Sequence, residues 1–166
     1  KWLDSPGTLN GTSGNDILVG STGVDVINGK GGNDIICSAP FSSGELAAQD
    51  TIFGGAGSDY IYGSGSVDGG SGNDSVLASG ILTVAKGGSG NDTLRADNGA
   101  TVDGSSGNDL VYSDSGGSTA LYGGSGADRV SNNSSTGKMD CGSATDLFFA
   151  NGSPVVLRCE VESIPG

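Results

Sequence analysis

Eight aspartates recur along the 166-residue chain at almost one interval: Asp16, Asp34, Asp59, Asp74, Asp92, Asp109, Asp128 and Asp146. The intervals are 18, 25, 15, 18, 17, 19 and 18 residues. Five of these aspartates close the phrase Gly-Asn-Asp, with an alternating apolar stretch behind it. An ionised carboxylate carries a full charge and two oxygen acceptors. Repetition at a fixed period marks a solenoid, whose windings stack so that equivalent positions meet. The eight carboxylates are then expected to form one column. At about 5 Å apart, bare neighbours repel by roughly 3 kcal/mol per pair at an effective dielectric of ~20, so the column calls for a cation.

Other chemistries find little support. The chain has no histidine, which removes Ser-His-Asp and Cys-His catalysis and imidazole metal sites. Three cysteines are too few for a multi-cysteine zinc centre. A net charge of −12 argues against nucleic acid and anionic membrane surfaces as partners. No apolar run approaches the ~20 residues of a membrane span, so no membrane insertion is expected. The seven basic residues form no cluster. The chain reads as a non-enzyme.

The elements that must position the aspartates are short strands. The recurring unit opens with G-x-x-G-N-D-x-U-x, U being apolar, as in Gly87 to Arg95. A looser half follows, a Gly/Ser turn and a strand, as in Gly99-Ala100-Thr101-Val102. Period-two alternation with β-branched enrichment marks both halves as strands. One winding therefore spans about 18 residues, and about eight windings fit. The inward set is Leu18, Ile27, Ile36, Ile52, Ile61, Val67, Val76, Leu94, Val102, Val111, Leu121, Val130, Met139 and Phe148. Two apolar side chains per winding cannot offset the ordering of its backbone. Rung hydrogen bonds and the turns must supply the rest.

Three parts are expected: an N-terminal cap over residues 1–10, a solenoid over 11–159 and a tail over 160–166. The long interval from Asp34 to Asp59 places an inserted loop at 38–49, and the short one from Asp59 to Asp74 trims the turn near Gly63 to Ser66. Cys141 and Cys159 stand 18 residues apart, one winding, which places them within disulfide range. Cys37 is about six windings away, a spare thiol or an intermolecular link. A disulfide indicates an oxidising, extracellular setting.

The turn phrase resembles the nonapeptide of the RTX, or haemolysin-type, calcium-binding family, G-G-x-G-x-D-x-U-x. Gly87 to Arg95 matches every fixed position, as do Gly54 to Tyr62, Gly69 to Leu77 and Gly123 to Ser131. Thr12, Lys30 and Ser105 each replace one glycine. The resemblance implies an all-β parallel β-roll with Ca2+ between adjacent turns, bound by the eight aspartates named above. About five to seven ions are expected. The second side is mostly degenerate, making this a one-sided variant in which only Asp25 and Asp50 are further candidate ligands. Asp68, Asp103 and Asp140 follow an inward apolar residue and are expected to face solvent.

The function this implies is that of a secreted calcium-binding structural repeat protein of the cell surface or extracellular matrix, folding on calcium. The alternative is a filament subunit that self-associates end to end through its solenoid edges. An ice-binding solenoid and a non-catalytic fragment of a larger secreted enzyme are minor alternatives. A regular Thr-x-Thr ladder, which the former would use, is not present.

Overall fold

The computed structural model describes residues 1–38, 49–114, 118–133, 136–151 and 155–159. In chain order the strands are β1 (Thr8–Asn10), β2 (Ile17–Val19), β3 (Val26–Gly31), β4 (Ile35–Cys37), β5 (Asp50–Ala56) and β6 (Tyr60–Gly63). Next come β7 (Gly65–Ser71), β8 (Ser75–Ser79), β9 (Val84–Ser89), β10 (Thr93–Asp97), β11 (Thr101–Ser106) and β12 (Leu110–Ser113). The last are β13 (Thr119–Ser125), β14 (Arg129–Asn132), β15 (Gly137–Asp140), β16 (Leu147–Ala150) and β17 (Val155–Leu157). Odd strands form one nine-stranded sheet and even strands one eight-stranded sheet, each in sequential order. Every pairing is parallel, so the chain winds as a β-solenoid with roughly 18 residues per turn.

The register is set by single apolar residues. Leu18 stacks on Ile36, Ile36 on Ile61, Ile61 on Val76, Val76 on Leu94, and Leu94 on Val111. The facing sheet contributes Ile27, Ile52, Val67, Val102, Leu121 and Met139, all essentially buried. Phe148 is only partly buried at the end of its row. Leu9 and Ala85 also lie buried in the nine-stranded row, and the alternation rule passed over both. Leu9 lies in the stretch read as a cap, and alanine gives a weak hydrophobic signal.

The irregular intervals leave the stack in phase. Thr51 to Ala56 still pairs with Val26 to Gly31, across the long interval. The inserted loop of that interval falls almost wholly on residues 39–48, outside the described residues, as does the tail 160–166. The short interval is absorbed at the corner between β6 and β7, where Ser64 alone connects the strands.

At the N-terminal end, Thr8–Asn10 already forms the first rung of the nine-stranded sheet. Ahead of it, the Leu3 N–H donates to the Val19 carbonyl at 3.0 Å and the Val19 N–H donates to the Lys1 carbonyl at 2.9 Å. Residues 1–3 thus cover the outer edge of β2. At the other end a disulfide joins Cys141 to Cys159, with Cα atoms 4.9 Å apart. Cys37 is a free thiol between Val19 and Tyr62 on the eight-stranded sheet. Asp140 corrects the solvent-facing expectation: it is 5 % exposed and holds Arg158 through a bidentate pair at 2.9 and 2.6 Å. The following rung folds Arg158 over it, which period-two alternation could not foresee.

Candidate metal centre

Each aspartate of the column sits one residue before an even-numbered strand, at the corner where the turn ends. The corner leaves the backbone N–H of that residue without a rung partner of its own. The aspartate one winding later supplies it. The Asp16 N–H donates to Asp34 Oδ1, Asp34 to Asp59, Asp59 to Asp74 and Asp74 to Asp92, all at 2.8 Å. Asp92 donates to Asp109 at 2.8 Å, Asp109 to Asp128 at 2.9 Å and Asp128 to Asp146 at 2.8 Å. All eight sequence-identified aspartates are therefore brought into one continuous ladder. The structure joins seven neighbouring pairs, including those across the long and short intervals, because the added and missing residues lie elsewhere in their windings.

The second oxygen has the opposite fate. Oδ2 of Asp34, Asp59, Asp74, Asp92, Asp109 and Asp128 is buried with no hydrogen-bond partner. These residues are 1–3 % exposed. A buried carboxylate oxygen without a donor costs stability, more so when ionised. The glycine that opens each turn makes room for it. A Cβ on Gly29 would stand 2.4 Å from Asp34 Oδ2 and 2.2 Å from the Gly54 carbonyl oxygen, and one on Gly87 would stand 2.3 Å from Asp92 Oδ2 and 2.8 Å from the Gly104 carbonyl oxygen. A carboxylate oxygen and a carbonyl oxygen from the next winding thus converge on the bare face of each such glycine. Within the turn, Gly88 (φ 111°) and Gly90 (φ 127°) hold left-handed backbone angles that side chains resist.

Oxygen crowding without donors is the signature of a site for a hard cation. Calcium takes six to eight oxygens from carboxylates and carbonyls. The donor set here is all oxygen, so the residues present fit that ion. Among the described residues no three acidic or cysteine side chains converge on one point. Two carboxylates per gap must therefore be completed by backbone carbonyls of the glycine turns.

Burial sets the electrostatics. It raises the carboxyls of Asp74, Asp109 and Asp128 to about 6; the N–H from the preceding winding opposes the rise and neighbouring carboxylates add to it. Asp59 and Asp92 are raised too, again mainly by burial.

The first member differs. Asp16 turns its Oδ2 into its own loop, where Thr12 donates from N–H at 2.6 Å and from Oγ1 at 2.8 Å. The Thr12 hydroxyl and N–H hold its carboxyl below the usual range. Thr12 stands where other turns have the second glycine, and it gives this oxygen the donor the others lack.

The second side begins as a copy of the first and then lapses. The Asp25 N–H donates to Asp50 Oδ1 at 2.8 Å, and Gly7 N–H donates to Asp25 Oδ1 at 2.7 Å. Asp25 Oδ2 is already held by the Ser21 N–H at 2.6 Å. Asp50 Oδ2 is buried without a partner, and burial raises its carboxyl to about 6. Beyond Asp50 the equivalent corners carry Gly65, Thr83, Ala100, Thr119 and Gly137, which hold no charge.

Sequence reasoning missed a second ladder. Asn15, Asn33, Asn73, Asn91 and Asn108 each accept, through Oδ1, an N–H from the next winding at 2.8–2.9 Å. Aspartate reaches back one winding and asparagine reaches forward one. The Asn-Asp dipeptide therefore knits each turn to both neighbours. The recurrence of the dipeptide is visible in the sequence, but which winding each side chain reaches is not.

A sequence model described as the RTX calcium-binding nonapeptide repeat (4 copies) matches residues 7–38, 47–76 and 86–120. Comparison with curated proteins and with solved structures gives no match.

Proposed function

The chain belongs to the RTX calcium-binding nonapeptide repeat family, and from that premise we propose that it is a calcium-stabilised rod working outside the cell. RTX repeats bind calcium and form a structural, non-catalytic type of domain, and proteins that carry them are typically secreted. In this reading Asp16, Asp34, Asp59, Asp74, Asp92, Asp109, Asp128 and Asp146 hold the ions, with carbonyls of the glycine turns. The seven gaps between them accommodate five to seven ions. Asp50, with Asp25 above it, offers one further gap on the second side. The ions supply charge neutralisation and couple each winding to the next. The chain is then not an enzyme; its work is stiffness and attachment at a cell surface or matrix. Residues 1–10 act as the cap, 11–159 as the calcium-dependent unit and 160–166 as the tail.

The observation carrying this reading is the run of six buried Oδ2 atoms without donors, from Asp34 to Asp128. The Cys141–Cys159 bond supports an oxidising compartment. Among the described residues no helix is long and apolar enough to cross a membrane. The test is a calorimetric calcium titration with far-UV spectra and a size measurement on the same sample. We expect several ions per chain and a gain of β signal on saturation. No heat up to millimolar calcium, with a spectrum indifferent to EGTA, sinks the proposal.

A second reading, a filament subunit, draws on one observation. β17 is the last strand of its sheet and is exposed along its whole length. An open parallel edge templates addition of another chain. Against it, residues 1–3 cover the β2 edge that such a partner would meet. Light scattering and negative-stain images, with and without calcium, separate the two: persistent monomers exclude the filament.

A further inference from the structure

One place on the outer surface of the rod points to a ligand. Both sheets expose apolar side chains: the nine-stranded sheet mixes Val26, Phe53 and Val84 with Asn28, Asp68 and Lys86. The eight-stranded sheet carries exposed Ile17, Ile35, Tyr60, Leu110, Leu147 and Phe149. In the middle of this face the apolar row is interrupted. Between Tyr60 on β6 and Leu110 on β12 stand two small hydroxyl residues, Ser75 and Thr93. Their side chains floor a shallow groove of about 110 Å³, bounded by Tyr60, Leu77, Arg95 and Tyr112.

We propose that this groove binds a ring of a neutral polysaccharide lying across the strands. It is far smaller than the ~300–1,000 Å³ that encloses a whole small molecule. It therefore suits one unit of a longer ligand resting on a flat face. A sugar ring has an apolar C–H face and a rim of hydroxyls. Tyr60 and Tyr112 offer ring faces for the former, as amphipathic aromatics do at binding surfaces. Ser75 and Thr93 offer hydroxyls that both donate and accept. Arg95 offers guanidinium donors already oriented by Asp97, with contacts at 3.0 and 3.3 Å, and by Asp114 at 3.7 Å. Those two carboxylates neutralise Arg95, and the chain carries −12 overall, so an anionic polymer is repelled rather than recruited.

The other occupants fit less well. A second copy laid face to face would use a strip about eight strands long and two side chains wide. At 4.7–4.9 Å per strand that is on the order of 350 Å² per partner, under half the ~800 Å² of a stable interface. An apolar peptide would bury the Arg95–Asp97 pair without new partners, which costs affinity.

The inference uses only the fold and this face, so it stands or falls apart from the count of bound ions. Affinity electrophoresis in calcium buffer tests it, with xylan, laminarin and hydroxyethylcellulose as neutral probes and polygalacturonate as the anionic one. At least one neutral polymer is expected to retard the chain and polygalacturonate is not. Tyr60→Ala and Tyr112→Ala are each expected to weaken retardation roughly 2- to 12-fold. Thr93→Arg fills the groove floor and abolishes it while leaving the core untouched, and Phe149→Ala, on the same face but off the groove, leaves it unchanged. Far-UV spectra must match for all four variants. Retardation by none of the neutral polymers overturns the proposal. So does retardation that ignores all three groove variants, selective retardation by polygalacturonate, or dimer formation lost in Thr93→Arg.

Discussion

Acid should stabilise the calcium-free rod, the reverse of the usual response of a folded protein. Asp50, Asp74, Asp109 and Asp128 have carboxyls raised to about 6 from 3.8, chiefly by burial. A group whose folded pKa lies above its unfolded value binds its proton more tightly when folded. Its stabilising contribution is complete below the unfolded pKa of 3.8 and is lost as the pH rises through about 6. Each shift corresponds to at most about 3 kcal/mol, and halving that for water reaching the turn leaves roughly 1.5 kcal/mol per group. Four such groups amount to about 6 kcal/mol, as large as the whole stability of many domains. In EGTA, urea midpoints measured from pH 4 to pH 7.5 should therefore fall as pH rises, most steeply between 5 and 6.5. Saturating calcium should flatten or invert the profile, because a cation favours the ionised form. Triple replacement Asp74→Asn, Asp109→Asn and Asp128→Asn keeps an Oδ1 acceptor for the ladder and removes three charges, so it should flatten the metal-free profile as well. Asp4→Asn, on the exposed N-terminal segment, should leave it steep. Metal-free stability that climbs from pH 4 to 7 refutes the reasoning, since the buried oxygens would then have donors the structure does not give them.

Other expectations follow from single contacts. Asp92→Asn should weaken calcium binding in a calorimetric titration yet raise metal-free stability at pH 7, because Asp92 Oδ2 is buried without a donor. Leu94→Ala removes a fully buried core residue and should cost about 2–5 kcal/mol in calcium buffer, read from the urea midpoint. Gly107→Ala places a Cβ 1.7 Å from the Gly90 carbonyl oxygen at φ 133°; the backbone strain alone should cost about 1–3 kcal/mol, seen as a lower thermal midpoint. Reducing Cys141–Cys159 opens an 18-residue loop and should cost about 3 kcal/mol. Hydrogen exchange should then accelerate in β15–β17 while β8–β12 stay protected.

Much of this protein was legible as text. The period of the aspartates reported a solenoid because stacking is the one architecture in which a fixed sequence interval becomes a fixed spatial step. Leu18, Ile36 and Leu94 declared the core because a strand's side chains alternate faces. The same rule failed at Asp140, whose cover, Arg158, comes from another winding. It also failed at Leu9 and Ala85, where burial depends on neighbours rather than on hydrophobic strength.

What the sequence determined by itself was the repeat, the winding, the inward row and the residues able to meet an oxygen-seeking ion. These are local properties, written in spacing and residue type. The tertiary structure alone decided how the six carboxylates from Asp34 to Asp128 divide their two oxygens, one to the previous winding's N–H and one to a buried, donorless position. It also decided that Asp16 and Asp25 spend their second oxygens on Thr12 and Ser21, and that Ser75 and Thr93 open a groove between Tyr60 and Tyr112. Those outcomes depend on which atoms stand opposite each other across 15 to 25 residues of chain, a relation that no single repeat contains.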